Sequence, residues 1–496
     1  MNASKSKLNR SAGGEMLHGS FWMILLRWTI RLTGLVSTIV LARLLTPSDF
    51  GVVAMAMIVV GMLEVLNQTG QKLAIIRQRD PSRDHYDAAW TISVSLGLLT
   101  GIAICIAAPF SALYFHDPRV VPVIQCLALR AVLGGFENIG ATDFRRDLKF
   151  HIYFLYNSCP KIISFVVTVG LAVLWQNYWA LVVGILVSQL SLTVLSYVMH
   201  PFRPRLSLKK FSDIGKFSAW TFMRSLGFYF NQQVDGIVIG GISGAASMGR
   251  YAVASDVSSS PFLEINDPMI AVLYPVMSRL QDDLDELRAL YLRTVGWSTI
   301  ICVSGSVGVA LVAEQMVKVI LGDKWLDVIP LMGWLALSGG ILGVSSATYT
   351  LFDALGKPHL GARMQWVRVV MLAVILVPVG YFTHNLVAIA MARLAAITIF
   401  VPTLFRTAGN VLGIRTADYF HVVWRPIAAA IVMALVVTAL ERYVQAPLVM
   451  ELLLKIAAGA TTFGATLLAL WHLNGRPSGP EQDIVSQIGK RLRFAW

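Results

Sequence analysis

Residues 21–45, FWMILLRWTIRLTGLVSTIVLARLL, are the feature of this sequence that most restricts its fold. The stretch can cross a bilayer, because a spanning helix needs about 20 mostly apolar residues. It also contains Arg27 and Arg31, which lie four residues apart and so share one helix face. An arginine at the centre of a span costs roughly 2.5–3.5 kcal/mol, so such residues usually face a protein interior or a water-filled cavity. The stretch therefore predicts a membrane protein with a cationic internal face.

The composition of the whole chain agrees with this prediction. The 496 residues are 56% hydrophobic and only 14% charged, which is too apolar for a soluble domain. Apolar runs of about 20 residues recur along the chain, the connections are short, and the sequence predicts an all-α polytopic membrane protein. The fourteen predicted spans lie near 19-43, 49-68, 88-110, 119-142, 150-174, 178-200, 214-240, 251-276, 290-313, 328-352, 358-382, 386-408, 418-440 and 449-472.

The distribution of basic residues predicts the topology. Of the 41 Lys and Arg residues, 26 fall in the terminal segments or in and beside the even-numbered loops, six in and beside the opposite loops, and nine farther inside the spans. Because cytoplasmic loops carry an excess of Lys and Arg, we expect both termini to be cytoplasmic.

A weak internal repeat predicts two similar halves. Glu64 follows Phe50 by 14 residues and Glu264 follows Tyr251 by 13, so that EVLN matches EIND. Two halves of six spans in the same orientation, with two further spans, fit these offsets. The predicted segments are a cytoplasmic N-terminal segment (1-18), an N-lobe (19-200), a cytoplasmic linker (201-213), a C-lobe (214-408), two additional helices (409-473) and a cytoplasmic tail (474-496).

The nine basic residues within spans differ in depth. Arg425 and Lys455 lie near span ends, where a long side chain reaches the interface, and we expect that role for them. Arg31, Arg130 and Lys161 lie 11 or 12 residues into their spans, which is about 16–18 Å deep. The other four basic residues lie at intermediate depth, where both a functional role and interface anchoring are open: Arg27, Arg224, Arg368 and Arg393.

Two interpretations are open for the deep cations. One is interhelical ion pairs, with Glu64, Glu137 or Glu264 as partners of the basic residues. The other is an anion-binding cavity, since basic groups outnumber acidic ones in the first six spans and guanidinium groups bind phosphate oxygens bidentately.

The seventh and eighth spans carry polar residues and prolines. Arg224, Asn231 and Asp235 share one face, and Pro261, Pro268 and Pro275 follow at heptad spacing. Prolines and broken helices are where transporters place ion sites and hinges. The candidates for ion coupling or a hinge are Glu64, Asp235, Glu264, Asp267, Pro261 and Pro268.

No catalytic or metal-binding pattern occurs in the sequence. The four cysteines and nine histidines lack metal-ligand spacing, and there is no Walker A motif. We therefore expect neither an enzyme nor a bound metal or cofactor.

Four motifs carry a resemblance to a known family: ARLLTPSDFG (42–51), FRRDLKF (144–150), YPVMSRLQDD (274–283) and LGDKW (321–325). Their order and spacing, over nearly the whole chain, resemble the Wzx-type polysaccharide-transport flippases of the multidrug/oligosaccharidyl-lipid/polysaccharide (MOP) superfamily. The likeness is greatest to the exporters of exopolysaccharide and colanic acid.

The resemblance implies two six-helix lobes around a central cavity, with two C-terminal helices packed outside. It implies alternating access that moves an undecaprenyl-pyrophosphate-linked repeat unit outward across the bacterial inner membrane. The charge of such a substrate lets us expect coupling to Na⁺, H⁺ or the membrane potential. We also expect a monomer that works with a polysaccharide polymerase or export machinery and binds no nucleic acid. The cations expected to bind the substrate are Arg27, Arg31, Arg130, Lys161, Arg224 and Arg368.

Three other functions stay open at this point. A multidrug or toxin antiporter on the same fold expels organic cations and should have an acidic, aromatic cavity. A flippase for lipid II shares the present expectation of an anionic lipid. A membrane-embedded glycosyltransferase or polymerase should have a large extracytoplasmic loop with carboxylates, whereas these loops are short.

Overall fold

The described part of the chain folds into long helices, which confirms the all-α class. The computed structural model describes residues 2–67, 75, 81–207, 209, 218–442, 446–477, 479–483 and 485–486, and only the backbone of 2–20, 66, 218–224 and 260. The long helices in these residues are α1 Asn2–Leu44, α2 Pro47–Glu64, α3 Arg83–Phe115, α4 Val120–Gly135, α5 Phe150–Trp175, α6 Trp179–Met199, α7 Ser218–Arg279, α8 Leu284–Leu311, α9 Ile329–Ala354, α10 Pro358–Thr383, α11 Leu386–Leu412, α12 Thr416–Leu440 and α13 Leu448–Leu473.

The protein is a multi-pass membrane protein. Twelve helices in the described part of the chain are long and apolar enough to cross a membrane. A thirteenth span results if α4 and the following residues Ile139–Arg146 count together as one. The chain bends by 72° between these two parts. This is fewer than the fourteen predicted, because the seventh and eighth predicted spans lie on either side of the break at Gly244 in α7 and together contribute one of these candidates.

Helix α7 contains 62 residues and is interrupted at one position. Gly244 has φ 77° and ψ 177°, a conformation that residues with a Cβ rarely adopt. The backbone stays helical at Pro261, Pro268 and Pro275. The predicted proline hinge therefore stays a prediction, while the break in the helix is at the glycine.

The chain forms two compact units, Met1–Gly249 and Arg250–Trp496. We call them the N-unit and the C-unit. They divide five residues beyond Gly244, within α7, whereas the predicted lobes are separated by residues 201-213. The predicted lobe boundaries stay a prediction.

In the N-unit, α2 packs directly on the backbone of α7. A Cβ at Gly51 would overlap the carbonyl oxygen of Ala245, and a Cβ at Gly249 would overlap that of Pro47. Small residues allow such close approach between helices in a membrane. At the start of α2, the Thr46 backbone N–H donates to Asp49 Oδ2 (2.9 Å) in a capping box. The motif at 42–51 is thus a helix cap followed by a contact glycine.

The first part of the predicted linker is bound to α3. The backbone N–H of Arg205 donates to Asp87 Oδ1 (2.8 Å), and that of Ser207 donates to Thr91 Oγ1 (2.9 Å). Both acceptor side chains are buried. Residues 201–207 therefore belong to the N-unit, while most of 208–217 lies outside the described residues.

His200 lies just before this segment, and its burial favours the neutral form of its ring. Burial lowers the pKa of its imidazole, although Asp143 lies 3.5 Å from Nε2 and acts in the opposite direction. The Nδ1 atom accepts a hydrogen bond from the backbone N–H of Phe202 (3.2 Å), as a neutral ring can. The ring therefore helps to fix where the segment leaves α6.

In the C-unit, α12 and α13 pack on α8. The contact is apolar, with Ile300, Met433 and Phe463 among its buried residues. The segment after α13 returns to the same helices, because Arg425 of α12 pairs with Glu481 (3.1 Å) and Arg293 of α8 pairs with Asp483. The side chains of the first pair are 5% and 1% exposed. The side chain of Arg425 is therefore buried beside a carboxylate, and its expected interfacial role stays a prediction.

Lys455 is likewise buried beside carboxylates. Its side chain is 3% exposed, and its Nζ lies 2.5 Å from Glu441 and 3.0 Å from Glu451. Gln315 also donates to Glu451 (2.7 Å). Two carboxylates compensate the cation, so it does not need to reach the interface.

Candidate functional site

An ion pair between α2 and α4 joins two of the predicted site residues in the N-unit. Nη1 of Arg130 lies 3.3 Å from Oε2 of Glu64, and the side chains are 29% and 20% exposed. Glu137, another predicted partner, accepts a hydrogen bond from the Tyr156 hydroxyl (2.6 Å). The structure thus supports the ion-pair interpretation for Arg130, although both side chains of the pair are partly exposed.

Lys161 and Tyr229 lie around this pair. Lys161, on α5, is exposed and close enough to Arg130 for the two charges to interact. Tyr229, on α7, packs its ring over Gly61, interacts with Glu64 and donates its hydroxyl to the Ile58 carbonyl (2.5 Å). Tyr229 is not among the predicted site residues, because nothing in a helix pattern indicates which distant helix packs on Gly61.

The predicted cations of α1 lie on a helix that packs against α5. Trp22 of α1 contacts Phe154 of α5, with ring centroids 5.3 Å apart, and His151, at 6.4 Å. Arg27 and Arg31 are half-buried on the same helix. The structure thus places Arg27, Arg31 and Lys161 on two adjacent helices. The Arg224 side chain lies outside the described residues.

The polar face predicted in the first half of α7 is buried. Asn231 and Asp235 are 5% and 3% exposed. A buried carboxylate requires a counter-charge, hydrogen bonds or a proton. A role for Asp235 in ion coupling stays a prediction.

In the C-unit the predicted residues are spread over several helices. Glu264 and Pro268 are half-buried on α7, and Asp267 and Pro261 are exposed there. Arg368 is half-buried on α10. Arg393 of α11 donates to the hydroxyl of the buried Tyr251 (3.2 Å).

The chemistry of these groups suits binding rather than catalysis. Guanidinium and ammonium groups at membrane depth favour an anion, and a planar guanidinium matches two phosphate oxygens. In the structure, the carboxylate of Glu64 is the anion next to the Arg130 guanidinium. An incoming phosphate can take the same donors, because both ligands offer anionic oxygens.

Comparison with known proteins places the chain in a family. Residues 40–330, more than half of the chain, match the family described as "Polysaccharide biosynthesis protein". The matched part includes Glu64, Arg130 and Lys161 and ends before Arg368.

Relatives and solved structures agree with this match. The chain is 24% identical to an uncharacterized membrane protein in the cps region of Klebsiella pneumoniae, covering 90% of this chain and 93% of that one. It is 24% identical to the lipopolysaccharide biosynthesis protein WzxC of Escherichia coli K12, covering 70% and 72%. The structure of the lipid II flippase MurJ, in an inward closed conformation, superimposes with a TM-score of 0.74 at 13% identity, covering 92% and 99%.

Proposed function

Because the chain belongs to the polysaccharide biosynthesis protein family, we propose that it flips a lipid-linked oligosaccharide across the membrane for polysaccharide assembly. The observation that carries this proposal is the match over residues 40–330, together with a fold of membrane-spanning helices shared with a lipid flippase. The substrate we propose is an undecaprenyl-pyrophosphate-linked repeat unit.

The basic residues within the spans provide the means to move such a substrate. A pyrophosphate diester carries about two negative charges, which are costly in a bilayer unless cations accompany them. Arg27, Arg31, Arg130 and Lys161 of the N-unit and Arg368 of the C-unit supply these cations. We propose that they bind the pyrophosphate while the protein alternates between inward-open and outward-open states.

The membrane potential assists outward movement of the charged substrate. Each charge that crosses 100 mV is worth about 2.3 kcal/mol, so two negative charges moving out of a negative interior gain about 4.6 kcal/mol. The empty protein must then return with its cations uncovered. We propose that Na⁺ or H⁺ binding accompanies this return, with Glu64, Asp235, Glu264 and Asp267 as the carboxylates available.

The cellular context belongs to the same proposal. We propose an inner-membrane location, a monomer, delivery of the substrate to a polymerase or export machinery, and cytoplasmic termini. Reporter fusions test the termini: a fusion after Lys210 should report the cytoplasm and one at Asp323 the periplasm. Periplasmic activity at Lys210 or a cytoplasmic signal at Asp323 would contradict the topology.

Deletion of the gene tests the function. The strain should lose surface polysaccharide and accumulate a lipid-linked sugar on the cytoplasmic leaflet, which mass spectrometry of extracted lipids identifies. A plasmid copy should reverse both effects. A deletion strain with normal polysaccharide and no accumulated lipid-linked sugar, but with increased sensitivity to organic cations, would instead indicate an antiporter.

A further inference from the structure

Arg368 has no ion-pair partner among the described residues, unlike Arg130 and Arg425. It lies in the middle of α10, and its side chain is half-buried. Its Nε is fully buried without a hydrogen-bond acceptor among the described residues, and no carboxylate described in the structure lies within ion-pair distance of it. By contrast, Glu64 pairs with Arg130, and Glu481 with Arg425.

A tyrosine with the same deficiency lies beside this arginine. Tyr349, near the end of α9, packs its ring on α10, where Cδ1 would be 3.6 Å from a Cβ at Gly361. Its hydroxyl is buried and lacks a hydrogen-bond partner within the part of the chain that the structure describes. The hydroxyl is close enough to Arg368 for the two groups to interact electrostatically.

Two neighbouring donors without acceptors are suited to an anionic ligand. Leaving a buried polar group unpaired is unfavourable, and leaving a cation uncompensated is more so. A ligand that satisfies both must be anionic and must offer several acceptor oxygens at once. A pyrophosphate does so, because a guanidinium binds the two non-bridging oxygens of one phosphate while a hydroxyl donates to an oxygen of the other.

We propose that Arg368 and Tyr349 form an anion subsite of the C-unit that binds the pyrophosphate of the lipid substrate. This inference rests on the proposed function and deepens it, because it assigns the headgroup to a particular pair. Tyr349 supplies a neutral donor and thereby fixes the orientation of the phosphate on Arg368. Arg130 is less prepared for this role, because a ligand there must first displace Glu64.

Binding to the purified full-length protein tests the subsite. The probes are a polyprenyl pyrophosphate, the corresponding uncharged polyprenol, and inorganic pyrophosphate. We expect Arg368→Gln to weaken binding of polyprenyl pyrophosphate about 10- to 100-fold, as loss of a charged hydrogen bond does. Tyr349→Phe should weaken it about 3- to 10-fold, and Arg368→Lys should fall between Arg368→Gln and the parent protein. The polyprenol should show no such difference.

Matched substitutions on the same helix provide the controls. Arg363 and Tyr381 are exposed residues of α10, so Arg363→Gln and Tyr381→Phe should bind as the parent protein does. Melting temperatures show whether each variant is folded. Tyr349→Phe removes a single oxygen atom, so it remains informative if Arg368→Gln fails to fold.

Three outcomes overturn the subsite. They are unchanged binding in Arg368→Gln and Tyr349→Phe, no binding by the parent protein, and equal affinity for inorganic pyrophosphate, which would make this a site for free anions. The deletion strain keeps the two proposals apart. If it accumulates lipid-linked sugar and the variants bind normally, only the subsite is wrong. If it accumulates none, the proposed function itself fails.

Discussion

Glu481→Gln should destabilise the C-unit through the loss of one buried charge. Arg425 Nε lies 3.1 Å from Glu481 Oε1, and the two side chains are 5% and 1% exposed. The substitution keeps the size of the side chain but leaves the guanidinium buried without its counter-charge. Breaking a buried ion pair by removing one partner costs about 3–5 kcal/mol.

The neighbouring pair supplies the control and sets the scale. Asp483 joins the same segment to Arg293 of α8, but those side chains are 23% and 52% exposed. Exposed pairs contribute about 0.2–1 kcal/mol, so Asp483→Asn should have a small effect. Each kcal/mol shifts the melting temperature by about 2–4 °C in a domain of 150–250 residues. We therefore expect a decrease of at least about 6 °C for Glu481→Gln and less than about 4 °C for Asp483→Asn.

The assay is the apparent melting temperature of the purified protein in one detergent. A double variant, Arg425→Met with Glu481→Leu, removes both charges and should recover much of the loss, because apolar residues of similar size often replace a buried pair without cost. Equal shifts for Glu481→Gln and Asp483→Asn would refute the reasoning, since burial would then make no difference. A double variant as unstable as the single one would show that charge is not the cause.

Three further predictions concern packing, the hinge and the substrate. Gly51→Ala places a methyl group against the backbone of Ala245, which should cost about 1–3 kcal/mol and reduce the abundance of the protein in the membrane. Gly34→Ala is the control and should leave the abundance unchanged, because nothing lies within 4 Å of its Cβ. Equal abundance would contradict this. Replacing Pro261 and Pro268 with alanine should slow transport at normal protein levels, and unchanged export would mean that these prolines serve packing only. Arg31→Gln should abolish surface polymer at normal abundance, and Arg31→Lys should restore part of it; normal export with Arg31→Gln would exclude an essential contact.

The sequence by itself determined the helices and the class of protein. The predicted spans 358-382 and 386-408 correspond to Pro358–Thr383 and Leu386–Leu412 within a few residues. The physical reason is local: in lipid every backbone polar group must be satisfied within its own segment, so an apolar run of the right length must be a helix. The capping box of α2 is equally local, because its two side chains lie three residues apart.

Only the tertiary structure decided which charges meet. Arg425 and Lys455 look interfacial by depth, yet both are buried beside carboxylates. Arg130 had two acidic candidates in the first six spans, and the packing of α2 on α4 selected Glu64. Tyr349 gave no signal in the sequence at all. Hydropathy fixes how deep a residue lies in the bilayer, but the rotation of each helix and the identity of its neighbours determine its partner, and these depend on contacts between residues far apart in the chain.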